Sequence, residues 1–371
     1  DMRKVLVTVL LVFTVLSLFS AVRIAVILPM TGGISAFGRM VWEGIQIAHE
    51  EKPTVLGEEV ELVLLDTRSE KTEAANAAAR AIDKEKVLAI IGEVASAHSL
   101  AVAPIAEENK VPMVTPASTN PLVTQGRKFV SRVCFIDPFQ GSAMAVFAYK
   151  NLGAKRVAVF TDVEQDYSVG LSNFFKDKFT ELGGQVKSVL FRSGDQDFSA
   201  QLSVAMSFNP DAIYITGYYP EIALISRQAR QLGFTGYILA GDGADAPELI
   251  EIGGEAVEGL LFTTHYHPKA ASNPVAKKFV EVYKEKYGKE PAALNALGYD
   301  AYMVLLDAIE RAGSFDREKI AEEIRKTENF NGASGIINID KNGDAIKSVV
   351  VNVVKNGSVD FEAVINPDDL K

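Results

Sequence analysis

Short apolar runs alternate with helical segments along most of this 371-residue chain, in two successive series. In the first series the apolar runs span residues 22–28, 60–65 and 87–93, and the segments between them show helical periodicity or are rich in alanine. The pattern restarts with a helical segment at 140–152 and an apolar run at 156–160. Continuous apolar runs are typical of parallel strands buried on both faces. The two series therefore predict an α/β protein with two lobes, each built on a doubly wound, mostly parallel sheet.

The C-terminal part of the chain follows a different pattern, which opens with long amphipathic helical segments. Residues 331–335 are predicted as a loop and residues 335–339 as a strand. The apolar run at 347–355 is predicted to pair with the run at 360–365 across Asn356 and Gly357, a dipeptide that favours tight hairpins. This tail need not form a third domain. Its elements can complete both sheets if the chain crosses between the lobes more than twice.

The N-terminus has the features of an export signal. Arg3 and Lys4 precede an apolar run at 5–19, which is followed by the small residues Ser20 and Ala21. A basic start, an apolar stretch and small residues at its end predict a secretory signal peptide, here residues 1–21. Such a signal places the mature protein outside the cytoplasm, in the periplasm. The alternative is an uncleaved membrane anchor, although the run is shorter than the ~20 residues that a spanning helix needs.

Composition and motifs disfavour several classes of function. The net charge is −10 and no basic stripe with interleaved aromatic residues occurs, so nucleic-acid binding is not expected. Phosphate-loop, dinucleotide-binding and nucleophile-elbow motifs do not occur, and no cofactor is predicted. The nearest metal candidate, His265 with His267, lacks a third ligand in view, so no metal site is predicted. Cys134 is the only cysteine, which rules out an intrachain disulfide and predicts a small buried residue.

Two turns that carry hydroxyl groups flank a helix within residues 92–120. Ser96 lies at or near the start of this helix, while Ser118 and Thr119 follow a short strand. Because both strands of a βαβ unit run in the same direction, both turns lie at one sheet edge, where small ligands bind. Hydroxyls, free N–H groups and a helix dipole at this edge favour a carboxylate. The alternative is that Ser96 is only a helix cap and Thr119 only a turn residue.

Further polar side chains follow strands of the second series. Asp242 lies between two glycines at a strand end, Tyr218 follows another strand, and Tyr167 follows a third. Asp242 and the carbonyl of Ala117 would hold an ammonium group, and the tyrosines would add hydroxyl contacts or an aromatic face. With the two hydroxyl turns, these residues predict a site for a zwitterion. The alternative is structural: a turn-forming aspartate, and tyrosines that pack at strand ends.

Five segments, spread in order over about residues 22–355, resemble one protein family. These segments are RIAVILPMTGGISAFG at 23–38, VPMVTPASTNPLVT at 111–124, GDQDFSAQL at 194–202, DAIYITGYYPEIALISRQARQLGF at 211–234 and NALGYDAYMVLLDAI at 295–309. Together they resemble the branched-chain amino-acid-binding proteins of bacterial ABC importers, within the type I periplasmic-binding superfamily. The resemblance implies two lobes joined by a three-strand hinge, with the ligand between them. It places residues 22–138 and 265–340 in the N-terminal lobe, and residues 139–264 and 341–371 in the C-terminal lobe.

The resemblance also implies the binding residues. One group holds the α-carboxylate and α-amino groups from the first lobe, a second closes over the ligand from the second lobe, and a third lines the side-chain pocket. The matching residues are Ser96, Ala117 and Thr119 in the first group, Tyr167, Tyr218 and Asp242 in the second, and Val94 and Phe37 in the third. Ser118, between two of these residues, completes the predicted ligand-binding set.

The chain departs from the family pattern at two of these positions. Asp242 stands where the family has Glu, so a backbone shift or a water must offset its shorter side chain. Phe37 stands where the family has Tyr, which makes the rim of the pocket less polar. The family pattern also has a disulfide near the first turn, and Ala95 with the lone Cys134 excludes it here.

These observations predict an exported, monomeric solute-binding protein that captures a branched-chain aliphatic amino acid and delivers it to the membrane permease of an ABC importer. Hinge closure around the ligand is the expected mechanism. One alternative is a ligand-sensing domain for another small amino acid or amide, acting with a receptor partner. Another is an enzyme that works at the same crevice, which is disfavoured because no nucleophile, base and acid occur together.

Overall fold

The computed structural model describes residues 21–371, so the predicted signal peptide lies outside the described residues except for Ala21. The first sheet contains six strands: β1 (Val22–Leu28), β2 (Thr54–Val55), β3 (Glu58–Asp66), β4 (Ala89–Gly92), β5 (Met113–Thr115) and β6 (Val130–Arg132). Their order across the sheet is β2-β3-β1-β4-β5-β6, and every pair is parallel except β2 with β3. Three helices connect them: α1 (Ser35–Glu51), α2 (Lys71–Asp83) and α3 (Ser96–Glu108).

The second sheet begins with five parallel strands: β7 (Arg156–Asp162), β8 (Gln185–Phe191), β9 (Ala212–Ile215), β10 (Tyr237–Ala240) and β11 (Leu261–Thr264). Five helices lie before and between them: α4 (Asp137–Val146), α5 (Asp166–Glu181), α6 (Ser199–Ser207), α7 (Tyr219–Gln231) and α8 (Glu248–Gly253). A π-helical turn, Phe147–Asn151, continues α4. The apolar runs predicted as strands at 22–28 and 237–240 have these bounds in the structure.

The C-terminal part of the chain contributes to both lobes. It contains helices α9 (Pro274–Tyr287), α10 (Ala293–Ala312) and α11 (Arg317–Ile324), the two-stranded ribbon of β12 (Phe330–Gly332) and β13 (Gly335–Ile337), and strands β14 (Val349–Lys355) and β15 (Ser358–Ile365). Helix α10 packs on α1 of the first lobe. The hairpin of β14 and β15 joins the second sheet antiparallel to β11, giving the order β15-β14-β11-β10-β9-β7-β8. The predicted pairing across Asn356 and Gly357 is therefore confirmed.

The chain crosses between the two sheets three times, where the resemblance implies a three-strand hinge. The crossings follow β6, β11 and β13. Arg132, Cys134 and Phe135 are fully or almost fully buried at the first crossing, and Lys347 is buried at the third. The prediction that Cys134 is a buried free cysteine is confirmed. No helix within residues 21–371 has both the length and the apolar character needed to cross a membrane.

Three features differ from the sequence prediction. The predicted strand at 335–339 covers β13, but residues 331 and 332, predicted as part of a loop, belong to β12, which pairs with β13 in an antiparallel ribbon. Helix α4 begins at Asp137 rather than at residue 140, because Pro138 is suited to the first turn of a helix and does not delay its start. The short helix α8 was not predicted.

Candidate functional site

One cavity of about 280 Å³ lies between the two lobes, at the carboxyl ends of the parallel strands. Its lining residues are Phe37, Val94, Ser96, Ala117, Thr119, Tyr167, Tyr218, Asp242, Gly243 and Leu294. The structure thus brings eight of the nine predicted residues together around one space. Their role in ligand binding stays a prediction.

Ser118 is the predicted residue that does not line this cavity. Its hydroxyl donates to the carbonyl of Val94 at 2.8 Å and lies 2.6 Å from the hydroxyl of Ser99. Its side chain is therefore directed into the protein, where it joins the second turn to the first. A direct contact of this hydroxyl with a ligand is not compatible with the cavity in the structure.

The first hydroxyl turn is fixed by the buried side chain of Glu93. Its Oε2 accepts hydrogen bonds from the backbone N–H groups of Val94 and Ala95 at 2.8 and 2.9 Å, and lies 3.1 Å from Nδ1 of His98. Burial disfavours the charged form of His98, but the adjacent carboxylate of Glu93 outweighs it and raises the pKa of this histidine. The turn is thus held by charge and hydrogen bonds at the place where the family pattern has a disulfide.

Ser96 is the first residue of α3, and the preceding Ala95 occupies the cap position without a side-chain hydrogen bond. The prediction that Ser96 lies at a helix start is confirmed, and the alternative of a serine cap is wrong. The Ser96 hydroxyl instead accepts a hydrogen bond from the backbone N–H of Asn120 at 3.2 Å, which ties the two turns together. The first N–H groups of α3 have no carbonyl partner within the helix and favour an anion at this end.

The buried side chain of Arg132 holds the second hydroxyl turn in place by hydrogen bonds. This fully buried guanidinium donates to the carbonyls of Ser118 and Asn120 at 2.5 and 2.9 Å, and to Asp344 Oδ1 at 2.7 Å. Asp344 belongs to the third crossing between the lobes. The turn that carries Thr119 is therefore anchored to the hinge by a paired, hydrogen-bonded charge.

Asp242 is the acidic group on the opposite side of the cavity. Its Oδ1 accepts hydrogen bonds from the Tyr167 hydroxyl at 2.7 Å and from Gln140 Nε2 at 3.1 Å, and its Oδ2 lies 2.8 Å from His265 Nε2. Its side chain is 11% exposed, toward the cavity that it lines. Three partners thus hold this carboxylate in one orientation at the edge of the cavity.

A second carboxyl group, Asp137, is buried close to Asp242. Burial and the nearby Asp242 charge raise its pKa to about 8, although Gln140 and Thr119 favour its ionised form. Asp137 is therefore mostly protonated at neutral pH. With Asp137 protonated, Asp242 faces the cavity without a second negative charge beside it.

The wall of the cavity is largely apolar and aromatic. Phe37 contacts Tyr218 edge to face with a centroid separation of 5.6 Å, and Tyr218 stacks on Tyr167 at 5.2 Å. Val94 and Leu294 add aliphatic surface. Burial raises the pKa values of both tyrosines well above their usual range, so their hydroxyls stay protonated donors.

Contacts between the start of α1 and the second lobe lie next to Phe37, which lines the cavity. The Tyr219 hydroxyl donates to the carbonyl of Gly33 at 3.3 Å and accepts from the N–H of Ala36 at 3.3 Å. Arg39 pairs with Glu248 at 2.6 Å outside this contact. The two lobes therefore meet around the cavity in a closed arrangement.

Sequence reasoning missed four residues of this site. Leu294 and Gly243 line the cavity, while Gln140 and His265 hold Asp242. Leu294 immediately precedes the segment at 295–309 that carries the family resemblance, and it reaches the cavity as part of α10, which packs on α1. His265 was considered only as a metal candidate with His267. The structure gives the two histidines different partners, since Nδ1 of His267 accepts a hydrogen bond from the N–H of Lys269.

Comparison with known proteins identifies the family. The family described as "Periplasmic binding protein" matches residues 21–358. The chain is 32% identical over 335 residues to Leu/Ile/Val-binding protein homolog 3 of Brucella melitensis, with coverage of 88% of this chain and 89% of that protein. It is 30% identical over 332 residues to the leucine-, isoleucine-, valine-, threonine- and alanine-binding protein of Pseudomonas aeruginosa, with 87% of each chain covered.

Solved structures lead to the same conclusion. The crystal structure of the leucine-binding protein LivK of Thermotoga maritima is 96% identical and superposes with a TM-score of 0.94, covering 94% of this chain and 100% of that one. LivJ of Streptococcus pneumoniae in complex with isoleucine is 28% identical, with a TM-score of 0.88 over 94% of this chain and 100% of that one. The predicted resemblance and the two-lobed type I fold are confirmed. The chain belongs to the periplasmic binding protein family, whose members are solute-binding proteins rather than enzymes.

Proposed function

We propose that this protein captures a branched-chain aliphatic amino acid between its lobes and delivers it to the membrane permease of an ABC importer. One observation supports this proposal above the others. A single small cavity combines a helix start with hydroxyl groups, an oriented carboxylate on the opposite side, and an apolar wall. The names of the relatives, which include leucine-, isoleucine- and valine-binding proteins, point to the same class of ligand.

The ligand carboxylate is received by the first lobe. Ser96 and Thr119 supply hydroxyls, and the first turn of α3 supplies N–H groups together with the positive end of the helix dipole. The ammonium group is received by Asp242 and by the carbonyl of Ala117. Charges that leave water must be paired or hydrogen-bonded, so these two half-sites select a zwitterion.

The third part of the ligand meets the apolar wall. Phe37, Val94 and Leu294 exclude water from this part of the cavity, so an aliphatic side chain gains the hydrophobic contribution of burial. One methylene in such a pocket changes affinity by only about 1–3 kcal/mol. We therefore expect leucine, isoleucine and valine all to bind, with affinities that differ modestly.

Closure of the lobes converts binding into a signal for the permease. The first lobe takes the carboxylate, and the second lobe then closes and brings Asp242 and Tyr218 to the ligand. The closed state gains stability only because the ligand binds it more tightly than the open state. In this proposal the lobes comprise residues 22–138 with 265–340, and 139–264 with 341–371. The protein acts as a monomer in the periplasm after removal of a signal peptide at 1–21.

Calorimetry and thermal shift against the standard amino acids test the proposal. A ligand that binds only the folded protein raises the free energy of unfolding by RT ln(1 + [L]/Kd), about 2.7 kcal/mol at a concentration of 100 Kd. Leucine, isoleucine and valine should raise the melting temperature. Matched controls are 4-methylpentanoate, which lacks the ammonium group of leucine, and 3-methylbutylamine, which lacks the carboxylate. Stabilisation by these controls as strong as by leucine, or none by any amino acid, would refute the proposal.

A further inference from the structure

The carboxylate of Asp242 has one acceptor position left for a ligand. A carboxylate offers about four acceptor positions, two on each oxygen. Oδ1 uses two positions for Tyr167 and Gln140, and Oδ2 uses one for His265. The remaining position is on Oδ2, on the atom that His265 holds. The placement of this atom therefore decides where an ammonium group can bind.

His265 is a neutral donor in a fixed orientation. Its side chain is 1% exposed, and burial lowers its pKa even though the carboxylate of Asp242 opposes the shift. A neutral imidazole carries one N–H, and a carboxylate only accepts, so the hydrogen must be on Nε2. The other nitrogen, Nδ1, is buried without a hydrogen-bond partner among residues 21–371. The ring stacks on Phe135 with a centroid separation of 3.9 Å, which fixes its plane.

The other two partners of Asp242 hold a different oxygen. Tyr167 and Gln140 both donate to Oδ1, and Gln140 Oε1 also accepts from the Asp242 N–H at 2.9 Å. Because the two oxygens of a carboxylate rotate together, all three donors set its orientation, and His265 is the one that bonds Oδ2 directly. The histidine follows β11 at the second crossing between the lobes, and Phe135 follows β6 at the first. The ring is thus held by the hinge rather than by the strand that carries Asp242.

We propose that His265 is a positioning residue for amino-acid binding, and that its Nε2–H fixes Asp242 Oδ2 where the ligand ammonium is received. This inference rests on the proposed function. It gives a reason why the short side chain of aspartate suffices here: the hinge supplies a donor that holds the carboxylate in place. His265 acts through Asp242 and does not line the cavity itself.

Two amide substitutions at His265 test whether the position of the hydrogen-bond donor matters, and not only the presence of a polar side chain. In His265→Gln the side-chain N–H reaches about as far as Nε2, whereas in His265→Asn it falls short. Because hydrogen bonds to charged groups contribute about 1.5–3 kcal/mol, we expect His265→Asn to weaken leucine binding by roughly 10- to 100-fold in calorimetry. His265→Gln should recover most of the affinity. Equal leucine affinities for the Gln and Asn variants, with both melting near the wild-type temperature, would overturn the inference.

Two further comparisons test whether His265 affects binding through Asp242. With Asp242→Asn in the background, the Gln and Asn substitutions at His265 should give the same residual affinity, because the charge that they orient is absent. His267→Asn is a matched control two residues away, where asparagine retains an acceptor for the N–H of Lys269, and it should bind leucine as the wild type does. If the Gln and Asn variants still differ in leucine affinity in the Asp242→Asn background, His265 does not act through Asp242.

The same measurements distinguish this inference from the proposed function. If wild-type protein binds no amino acid, or if Asp242→Asn binds leucine unchanged, the proposed function or its ammonium site fails. If Asp242→Asn loses binding but His265→Asn retains the wild-type affinity, the positioning role alone fails.

Discussion

At the scale of single residues, Asp137 makes the stability of the protein depend on pH. Its pKa is about 8 in the folded protein against an ordinary value of 3.8, because it is buried beside Asp242. Between about pH 4 and pH 8, Asp137 is therefore protonated in the folded state and ionised in the unfolded state. Stability from this group is complete below pH 4 and is lost as the pH rises toward 8. Asp137→Asn removes this dependence, so the melting temperature of the variant relative to wild type should increase from pH 5 to pH 8.

The control for this prediction is Asp197→Asn. Asp197 is exposed and its hydrogen bonds with Ser199 lower its pKa, so it is ionised in both states throughout this pH range. Its substitution should shift the melting temperature by a constant amount between pH 5 and pH 8. If the melting temperature of Asp137→Asn differs from that of wild type by a constant amount over the same pH range, Asp137 is not a buried, protonated carboxyl group.

The candidate site also shows how far residues can be assigned from sequence. Ser96 and Thr119 follow strands of the first sheet and Asp242 follows a strand of the second, and the resemblance supplied their pairing across the cleft. Ser118 shares the same turn, but its hydroxyl is directed into the protein, and the sequence pattern does not encode this direction. His265 carries no sequence signal for its role, because its contact with Asp242 exists only when strands β10 and β11 lie side by side.

At the scale of elements, helices α1 and α10 pack so closely that glycine is required at their contact. A Cβ atom on Gly44 would lie 1.9 Å from the backbone oxygen of Asn295, and one on Gly298 would lie 2.3 Å from that of Val41. Overpacking costs about 1–3 kcal/mol or more. The gain in helix propensity from glycine to alanine is only about 1 kcal/mol. Gly44→Ala should therefore lower the melting temperature of the ligand-free protein by several degrees.

Gly33→Ala provides the comparison in the same part of the chain. A Cβ atom at Gly33 has no neighbour within 4 Å, and its backbone is not left-handed. This substitution should leave the melting temperature near that of wild type. Equal melting temperatures for the two variants would mean that α1 can move away from α10 at little cost.

Most helices and strands were predictable because their sequence periodicity agrees with their final environment. The buried strands β1 and β10 are continuous apolar runs bounded by polar or turn residues, and their bounds were predicted. Strand β12, which was missed, has three residues and is too short for an alternating pattern. It contacts α9 and α10, which precede it by many residues in the sequence. Helix α8, with six residues, is likewise too short to show helical periodicity.

The contact between the starts of α1 and α7 acts as a latch on the closed cleft. The Tyr219 hydroxyl bonds both the carbonyl of Gly33 and the N–H of Ala36, yet Tyr219 does not line the cavity. Tyr219→Phe keeps the ring packed on Phe37 at 5.0 Å and removes both hydrogen bonds from the closed state. At about 0.5–1.5 kcal/mol for each neutral hydrogen bond, leucine affinity should fall roughly 5- to 100-fold, mainly through faster dissociation.

Stopped-flow dissociation and calorimetry measure this effect directly. Tyr237→Phe is the matched control, because Tyr237 is 43% exposed at the start of β10 in the second lobe and does not line the cavity. It should change neither the dissociation rate nor the affinity. An unchanged dissociation rate for Tyr219→Phe would show that the latch does not stabilise the closed state.

At the scale of the whole molecule, the three crossings join the two lobes, and the cavity lies between them. The alternating pattern of the sequence predicts the lobes, and the tail that completes both sheets predicts more than two crossings. Their relative orientation is not predictable from pattern, because it depends on contacts between lobes such as Arg39 with Glu248. Exposed ion pairs of this kind contribute only about 0–1 kcal/mol, so they cannot hold the cleft closed alone.

The closed arrangement should therefore depend on ligand, and small-angle X-ray scattering can follow it. We expect the radius of gyration of the wild-type protein to decrease when leucine is added, because the ligand binds the closed state more tightly. Asp242→Asn should keep the larger radius at the same leucine concentration, since in the proposed function it is the charge of Asp242 that receives the ammonium group. Addition of 4-methylpentanoate to wild type should likewise leave the radius unchanged. A wild-type radius that stays constant while calorimetry reports tight leucine binding would mean that this protein is closed before its ligand arrives, and that recognition requires no hinge motion.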